Sequence, residues 1–338
     1  MTPTWRSFLE SAEGHFDPEV FDVMDFGDAA GELNAATERT VLVPLTHLAS
    51  LDASGEDARS FLHSQFTSDV NHLAEGAMQH AGWCTAKGRM QASFVVQRTN
   101  EGYRLLLAAD LLEGAKKRLQ MFILRAKVTL TVASDEVLLG VAGAQAVEAL
   151  QAAGLPCPEA PMSFSVTGAT RVLRLDAQRF IVSTPESAAP ALWQQLSVKA
   201  RPAGVPVWRW LDVQAAFPLV TLATKEEFVP QMADFEKIGG VSFHKGCYPG
   251  QEIVARTQYL GKVKRHLFRI GSSVALKAGD EIYSPDNLEQ ACGKVMTAAP
   301  APAGGYVGLA VVQSNHADTL HLGSRDGVPL SAVAVNPA

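Results

Sequence analysis

The sequence has few cysteines, no long apolar run and no apolar leader, and each shortage excludes a class of protein. Its 338 residues include four widely spread cysteines, which form no CxxC pair: Cys84, Cys157, Cys247 and Cys292. A dense disulfide framework is therefore excluded, and free thiols are expected. No window approaches about 18 uninterrupted apolar residues, so no membrane span is expected. The chain does not start with the basic and apolar segments of a secretory signal, which favours a soluble protein of the cytoplasm.

The charge balance is slightly acidic, which limits the possible partners. The chain has 29 basic and 35 acidic residues and a formal net charge of -6. Nonspecific nucleic-acid binding needs a broad basic face, so we expect no direct nucleic-acid partner. A hydrophobic fraction of 47% provides a sizeable core and excludes wholesale disorder. The chain is longer than the roughly 250–300 residues that one core supports, so two or three domains are expected.

The order of strand and helix patterns predicts an α+β protein. From Val41 onward, strands, an amphipathic helix and a hairpin alternate, which is typical of a two-layer unit. A similar order of elements follows a break near residue 135. Short strands with glycine, proline and asparagine turns begin at residue 263 and predict a small antiparallel barrel. We therefore divide the chain into residues 1–262, which hold two subdomains that can interleave, and a barrel domain over residues 263–338.

The most informative segment runs from Phe243 to Gly261 and reads FHKGCYPGQEIVARTQYLG. Pro249 suits the first turn of a helix, and Gly261 suits its end. Cys247 is then just before a helix N-terminus, where unpaired amides and the positive end of the helix dipole favour a thiolate. Lys245, two residues earlier, has the same effect. Cys247 is thus a candidate reactive cysteine, and the alternative is a small cysteine that packs beneath a turn.

Two further side chains on the predicted helix carry opposite charges. Glu252 and Arg256 are four residues apart and share one face. They form either a surface ion pair or a polar wall of a pocket near Cys247. His244 and Cys247 have the spacing of half a metal site. Zinc needs two more ligands at suitable separation, and none is close in the sequence, so no metal site is expected.

The same segment resembles the signature of a known family. Residues 245–252 read KGCYPGQE, which is similar to the motif of the YgfZ family of folate-binding proteins linked to iron–sulfur cluster maintenance. The resemblance covers roughly residues 40–330, with one highly specific motif and several supporting segments. The supporting segments are residues 55–69, 83–90, 228–243 and 254–265.

The resemblance implies a fold akin to the T-protein of the glycine cleavage system. Two ferredoxin-like α/β subdomains would surround a central folate-binding opening, and a C-terminal antiparallel β-barrel would complete the molecule. The resemblance also implies tetrahydrofolate as cofactor and iron–sulfur client enzymes as partners, such as those that thiomethylate tRNA. Lys245 and Cys247 correspond to the functional lysine and cysteine of the family, so they are the candidate catalytic pair. The target of the thiol stays open between iron, sulfide and a protein thiol.

Folate contacts are expected from the motif and from the turn that precedes the strand at Met90. Lys87 and Arg89 would meet the glutamate tail through charge-assisted hydrogen bonds, or belong to a solvated turn with Trp83 in the core. Gln231 would bind a pterin edge, or stabilise its own loop. The full set of predicted folate-binding residues is Trp83, Lys87, Arg89, Gln231, Tyr248, Gln251, Glu252 and Arg256.

One difference from the transferase relatives bears on the activity. Those relatives carry adjacent acidic residues, one of them a catalytic aspartate, at the position of Ala92 and Ser93 in this chain. Neither side chain ionises as a carboxylate, so proton transfer at that position is lost. We therefore expect no aminomethyltransferase activity, and we keep a folate-dependent one-carbon transferase as the alternative function. A third hypothesis is a noncatalytic folate-sensing module, in which the motif only shapes the pocket.

Overall fold

The structure is a computed structural model that describes residues 1–259, 261, 263–287 and 290–335. Within that part of the chain, no helix has the length and apolar character needed to cross a bilayer. The α-helices are α1 Pro3–Ser11, α2 Ala29–Glu38, α3 Ala58–Gln65, α4 Leu112–Ile123, α5 Ala146–Ala152, α6 Ala189–Ser197, α7 Val205–Gln214 and α8 Gln251–Tyr259.

The strands fall into three main sheets, which are described below. The strands before the barrel are β1 His15–Phe16, β2 Val23–Asp25, β3 Val41–Pro44, β4 Leu48–Ser54, β5 Met78–Cys84, β6 Met90–Thr99, β7 Gly102–Ala108, β8 Thr129–Val132, β9 Glu136–Ala142, β10 Ser163–Thr167, β11 Thr170–Arg174, β12 Arg179–Pro185 and β13 Arg201–Pro202. Those of the barrel are β14 Arg265–Ser272, β15 Glu281–Tyr283, β16 Gly293–Pro300, β17 Tyr306–Gln313, β18 Leu320–Leu322 and β19 Val328–Ala334.

The first α/β unit is built on a five-stranded antiparallel sheet with the order β5-β6-β7-β4-β8. Strand β6 is buried on both faces because its alternate side chains enter two different cores. Phe94 and Val96 pack with residues of α3 and α4 in one core. Val95 packs with Trp208 and residues of the second unit in the other. The two units therefore face each other across this sheet.

The second α/β unit is built on a six-stranded sheet with the order β10-β11-β12-β9-β3-β13. Strand β3 comes early in the chain, yet it pairs antiparallel with β9 and parallel with β13. The two units are therefore interleaved in sequence. A Cβ on Gly140 of β9 would come within 2.4 Å of the Trp208 ring, so α7 packs tightly on this sheet. Helices α2 and α7 and strand β10 have no counterpart in the sequence prediction.

The C-terminal strands close into a barrel with the order β14-β17-β16-β15-β18-β19. The predicted α+β fold with a C-terminal antiparallel barrel is thus confirmed. Residue 262, at the predicted domain boundary, lies outside the described residues. Asp234 joins the barrel to the rest of the molecule. Its buried carboxylate accepts hydrogen bonds from His266 Nδ1 at 2.8 Å and from the N–H of Leu267 at 3.3 Å.

Candidate functional site

The first six residues of the KGCYPGQE motif form a turn, residues 245–250, which we call the motif turn. The segment before it docks against the end of α3. The Thr67 hydroxyl donates to the carbonyl of Gly240 at 2.5 Å, and the N–H of Ser242 donates to the carbonyl of Thr67 at 2.8 Å. Thr67 is fully buried, so these bonds fix the chain just before the motif.

Lys245 is a buried cation with specific partners. Its ammonium donates hydrogen bonds to the carbonyl oxygens of His63 and Phe66, at the end of α3. Carbonyls at a helix C-terminus lack intrahelical partners and carry partial negative charge, so a cation is favoured there. The ammonium also lies 5.0 Å from the centroid of the Tyr248 ring, a cation–π distance. Burial lowers the pKa of Lys245 to about 8, which brings its titration close to neutral pH.

Cys247 is the exposed cysteine of the four, all of which lie in the described residues. Cys84 and Cys292 are buried, and Cys157 is half-buried. Burial raises the pKa of the Cys84 thiol to about 12, so that side chain stays protonated. Cys247 is therefore the most exposed of the four thiols.

Helix α8 begins at Gln251, which corrects the expectation that Pro249 occupies its first turn. Pro249 lies two residues before the helix because Gly250 adopts a φ of +80°, outside the helical region. Cys247 is consequently four residues before the first helical residue. At the other end, the N–H of Gly261 donates to the carbonyl of Arg256 at 2.9 Å and closes the helix.

The motif turn packs directly on the turn between β5 and β6, residues 85–89. A Cβ on Gly250 would stand 2.4 Å from the carbonyl oxygen of Thr85 and 2.6 Å from the Cα of Gly88. No other residue type fits this contact, and the positive φ of Gly250 also favours glycine. The structure thus brings together two segments that the sequence analysis singled out separately.

The predicted folate-binding residues near β5 and β6 have different surroundings. Trp83 is buried in the core of the first unit, and Lys87 is exposed on the turn. Arg89 donates through Nη1 to the carbonyl of Glu227. Trp83 and Arg89 therefore already have structural contacts, and Lys87 extends into solvent.

The predicted folate-binding residues of the motif region lie on and beside α8. Gln231 is buried and donates through Nε2 to the carbonyl of Val254 at 2.7 Å. Its Oε1 has no hydrogen-bond partner within the described residues. Gln251 is half-buried, while Glu252 and Arg256 are exposed. Glu252 and Arg256 form no ion pair with each other in the described part of the chain, although they share a face.

A cavity of about 290 Å³ lies between the two α/β units, and we call it the central cavity. Apolar side chains of β4, β6, β7 and β12 line much of it. Arg179 lines the cavity and donates hydrogen bonds to Asp212 Oδ1 and to Asp176 Oδ2, both at 2.6 Å. The polar and aromatic lining residues are His80, Asp176, Arg179, Trp208, Asp212 and Phe217.

Two titratable groups of the central cavity are shifted by burial. Burial raises the pKa of Asp212 to about 6, although the Arg179 guanidinium acts to lower it. Burial also lowers the pKa of His80 to about 4, so its imidazole is neutral at pH 7. His80 Nδ1 is buried without a hydrogen-bond partner in the described chain, and its ring centroid lies 5.3 Å from that of Phe217. The cavity thus offers a carboxyl group, a neutral imidazole and aromatic walls.

Strand β6 presents no acid to this cavity. Ser93 and Val95 lie on the same face of the strand because side chains alternate, and Val95 lines the cavity. Ser93 is buried, and its hydroxyl accepts a hydrogen bond from the N–H of Val220 at 2.9 Å. The serine therefore holds the neighbouring segment in place, and the nearest carboxyl groups in the cavity come from other elements.

A second cavity of about 330 Å³ begins on the other side of Asp212 and Leu219, which line both cavities. His47 lines this second cavity and is buried, and neither of its ring nitrogens has a hydrogen-bond partner in the described chain. Arg209 lines it too and pairs with Asp22 at 2.6 Å. Asp212 therefore lines both the central cavity and the second cavity.

None of the predicted folate-binding residues lines the central cavity, and none of the residues that line it was predicted from the sequence. One signal was present in α7, which reads VPVWRWLDVQ. Asp212 follows Val205 and Trp208 at helical spacing on the buried face of this helix. An acid within an apolar helix stripe is uncommon unless it is paired, and it marks a candidate functional group.

Comparisons with known proteins identify the family of this chain. Residues 5–165 match the family model described as the GCVT N-terminal domain. The tRNA-modifying protein YgfZ of Colwellia psychrerythraea (strain 34H) is 31% identical over 262 residues, which cover 77% of this chain and 79% of that protein. The tRNA-modifying protein YgfZ of Escherichia coli (strain K12) is 32% identical over 245 residues, which cover 71% and 75%. The chain belongs to the YgfZ family.

A solved structure relates the fold of this YgfZ family member to that of the transferases. The glycine cleavage system aminomethyltransferase T from Bartonella henselae superposes with a TM-score of 0.82. The superposition covers 100% of this chain and 97% of that protein, at 17% sequence identity. This likeness shows the shared fold alone. The resemblance to the YgfZ family and the T-protein-like architecture predicted from the motif are both confirmed.

Proposed function

We propose that this protein binds tetrahydrofolate in the central cavity and supports the assembly or repair of iron–sulfur clusters in client enzymes, such as those that thiomethylate tRNA. Cys247 is the group through which it acts, and Lys245 supports it. The observation that carries the proposal is the pairing of an exposed thiol with a buried lysine in the motif turn. Membership of the YgfZ family agrees with a role in tRNA modification, since the curated relatives are named for it.

The central cavity has the chemistry to hold a pterin ring. A pterin presents adjacent N–H donors along one edge and has flat apolar faces. Asp212 supplies a buried acceptor at the cavity wall, and Arg179 holds it through Oδ1. Trp208 and Phe217 supply aromatic walls, and the unpartnered His80 Nδ1 is a further polar contact. These residues would hold the folate, which when bound supplies a carrier for one-carbon units.

The first test concerns Cys247 in cells. The gene is deleted and then restored as wild type, Cys247→Ala or Lys245→Met at matched protein levels. We expect the wild type alone to restore the activity of a tRNA-thiomethylating iron–sulfur enzyme, because the alanine variant keeps the fold but lacks the thiol. Full rescue by Cys247→Ala would move the chemistry away from this residue and favour a noncatalytic folate module.

The second test concerns the ligand. Tetrahydrofolate is titrated into the purified wild type and into Asp212→Asn, with Cys247→Ala as the matched control outside the cavity. We expect saturable binding to the wild type and the control. The asparagine variant loses a hydrogen bond to a charged acceptor, so its affinity falls about tenfold or more. No saturation with the wild type, or equal affinity for Asp212→Asn, would contradict a folate site in this cavity.

The alternative is a folate-dependent transferase. It is disfavoured because Ala92 and Ser93 of β6, at the position where the resemblance implies adjacent acids in the transferase relatives, carry no carboxyl group. Incubation with tetrahydrofolate and an aminomethyl-lipoyl carrier distinguishes the two functions. We expect no methylenetetrahydrofolate, and its catalytic accumulation would favour the transferase.

A further inference from the structure

The motif turn faces a second pair of ionisable side chains at the end of α3. His63 lies in the last turn of that helix, and Asp69 lies in the loop that follows it. His63 Nδ1 is 3.3 Å from Asp69 Oδ1, an ion-pair distance, and this nitrogen has no hydrogen-bond partner within the described residues. The Asp69 carboxylate also accepts hydrogen bonds from the N–H of Asn71 at 3.0 Å and from His72 Nδ1 at 2.8 Å. Asn71 and His72 therefore hold the Asp69 carboxylate in place beside His63.

Asp69 favours one tautomer of the His63 ring. Burial acts to raise the pKa of Asp69, but hydrogen bonds from His72 lower it overall, so the group is a carboxylate at neutral pH. A carboxylate 3.3 Å from Nδ1 attracts a proton on that atom electrostatically, so the proton of a neutral ring is favoured on Nδ1. Burial, and then the Lys245 ammonium, lower the pKa of His63, so the ring is neutral at pH 7. Its Nε2 atom then has a lone pair that can take up a proton.

His63 Nε2 faces the motif turn. A Cβ on Gly246 would stand 3.6 Å from this nitrogen, which is the one described atom within 4 Å of that Cβ outside Gly246 and its two chain neighbours. Gly246 links Lys245 to Cys247, so the nitrogen lies beside the backbone that carries both functional residues. Lys245 is bonded to the carbonyl of the same histidine, and it interacts electrostatically with Asp69 and Cys247.

We propose that His63 is the proton acceptor for the Cys247 thiol and that Asp69 is the positioning residue that orients His63. The proposal rests on the proposed function only in taking Cys247 as the reacting group. In the step, the S–H bond breaks, the proton moves to Nε2, and the electron pair stays on Sγ. The imidazolium that forms is stabilised by Asp69, and Lys245 adds a second positive charge near the thiolate.

The other titratable groups around the motif turn provide controls. His244 is adjacent to Lys245 in sequence, but it is exposed and lies just before the motif turn. His72 is also exposed and is bound to Asp69. Burial raises the pKa of Tyr248, which is therefore neutral at physiological pH. His244→Gln thus removes a nearby histidine without removing the one oriented by a carboxylate.

The test is the rate at which iodoacetamide alkylates Cys247, measured by peptide mass spectrometry from about pH 6 to about pH 10. The full chain is compared with His63→Gln, Asp69→Asn and His244→Gln. At pH 7 we expect the rate to fall about tenfold in His63→Gln, with the profile displaced upward by about one pH unit. Asp69→Asn should lose about threefold, because its histidine is less well oriented. His244→Gln should match the wild type, and all variants should converge near pH 10.

Three results would overturn the proposal. The first is an unchanged profile for His63→Gln, and the second is an equal loss for His244→Gln, which would indicate a general charge effect. The third is a reduced rate for His63→Gln near pH 10, where hydroxide can remove the thiol proton without the histidine, because only altered access would cause it. Urea unfolding of each variant verifies that the chain is folded. The assay contains neither folate nor a client enzyme, so its outcome is independent of the cellular test of Cys247.

Discussion

The motif turn and the central cavity both hold charged groups, but in opposite settings. At the turn, Lys245 is buried against backbone carbonyls while Cys247 is exposed. In the cavity, Arg179 and Asp212 are both buried and depend on each other. A buried ion pair is costly to break, whereas an exposed thiol adds little to folding. The difference teaches that the proposed reactive thiol and the proposed folate-binding groups lie in parts of the fold that can be tested separately.

The largest expected effect comes from Arg179→Met. Removing this cation leaves Asp212 buried without its partner, so we expect the free energy of unfolding to fall by about 4 kcal/mol in urea titrations. Cys247→Ala is the matched change at the motif turn, and it should alter the same quantity by less than about 0.5 kcal/mol. Similar losses for both variants would remove the distinction between the two regions.

A smaller effect is expected at Gly250, where the motif turn depends on close packing. Gly250→Ala places a Cβ 2.4 Å from the carbonyl oxygen of Thr85 and strains a residue whose φ is +80°. We expect a loss of about 3 kcal/mol in unfolding free energy. The control is Gly239→Ala, which has a φ of +77° but open space around its Cβ, so it should lose about 1 kcal/mol. Equal losses would mean that strain alone, without the contact, accounts for the effect.

The smallest expected effect is the pH dependence of Asp212. Its pKa is about 6 in the folded chain, against a reference value of 3.8. The folded state thus binds the proton more tightly, so the contribution of this group to stability rises as pH falls through 6. Between pH 7 and pH 5, the wild type should gain about 1 kcal/mol relative to Asp212→Asn in unfolding free energy. A constant difference across this range would mean that Asp212 stays ionised at pH 5.

The parts of the fold that local pattern determines could be predicted from the sequence. The strands of the first unit and of the barrel alternate in hydrophobicity and are separated by glycine, proline and asparagine turns, which are local signals. Helix α7 was missed because nearly all its sides carry apolar or aromatic residues, and its packing is set by two sheets that form elsewhere in the chain. Strand β13 is only two residues long, so it has no periodicity to detect.

The candidate site was likewise predictable only where its residues are close in the sequence. Lys245 and Cys247 belong to one contiguous motif, so the sequence points to them directly. His63 lies 182 residues before the lysine that binds its carbonyl, and no local pattern joins them. Arg179 and Asp212 are likewise brought together from β12 and α7. Groups that meet only through tertiary structure are the ones that sequence reasoning missed.

The position of β3 has a consequence for how the chain is made. This strand leaves the ribosome early, but its partners β9 and β13 follow about 100 and 160 residues later. The second sheet therefore cannot form early in synthesis. Until β9 and β13 have been made, the hydrogen-bonding edges of β3 are unpaired. A fragment that ends near residue 135 would contain β3 but neither of its pairing strands. We expect this fragment to aggregate. A circular permutant in which β3 and β9 are close in sequence should shorten the time during which β3 is unpaired.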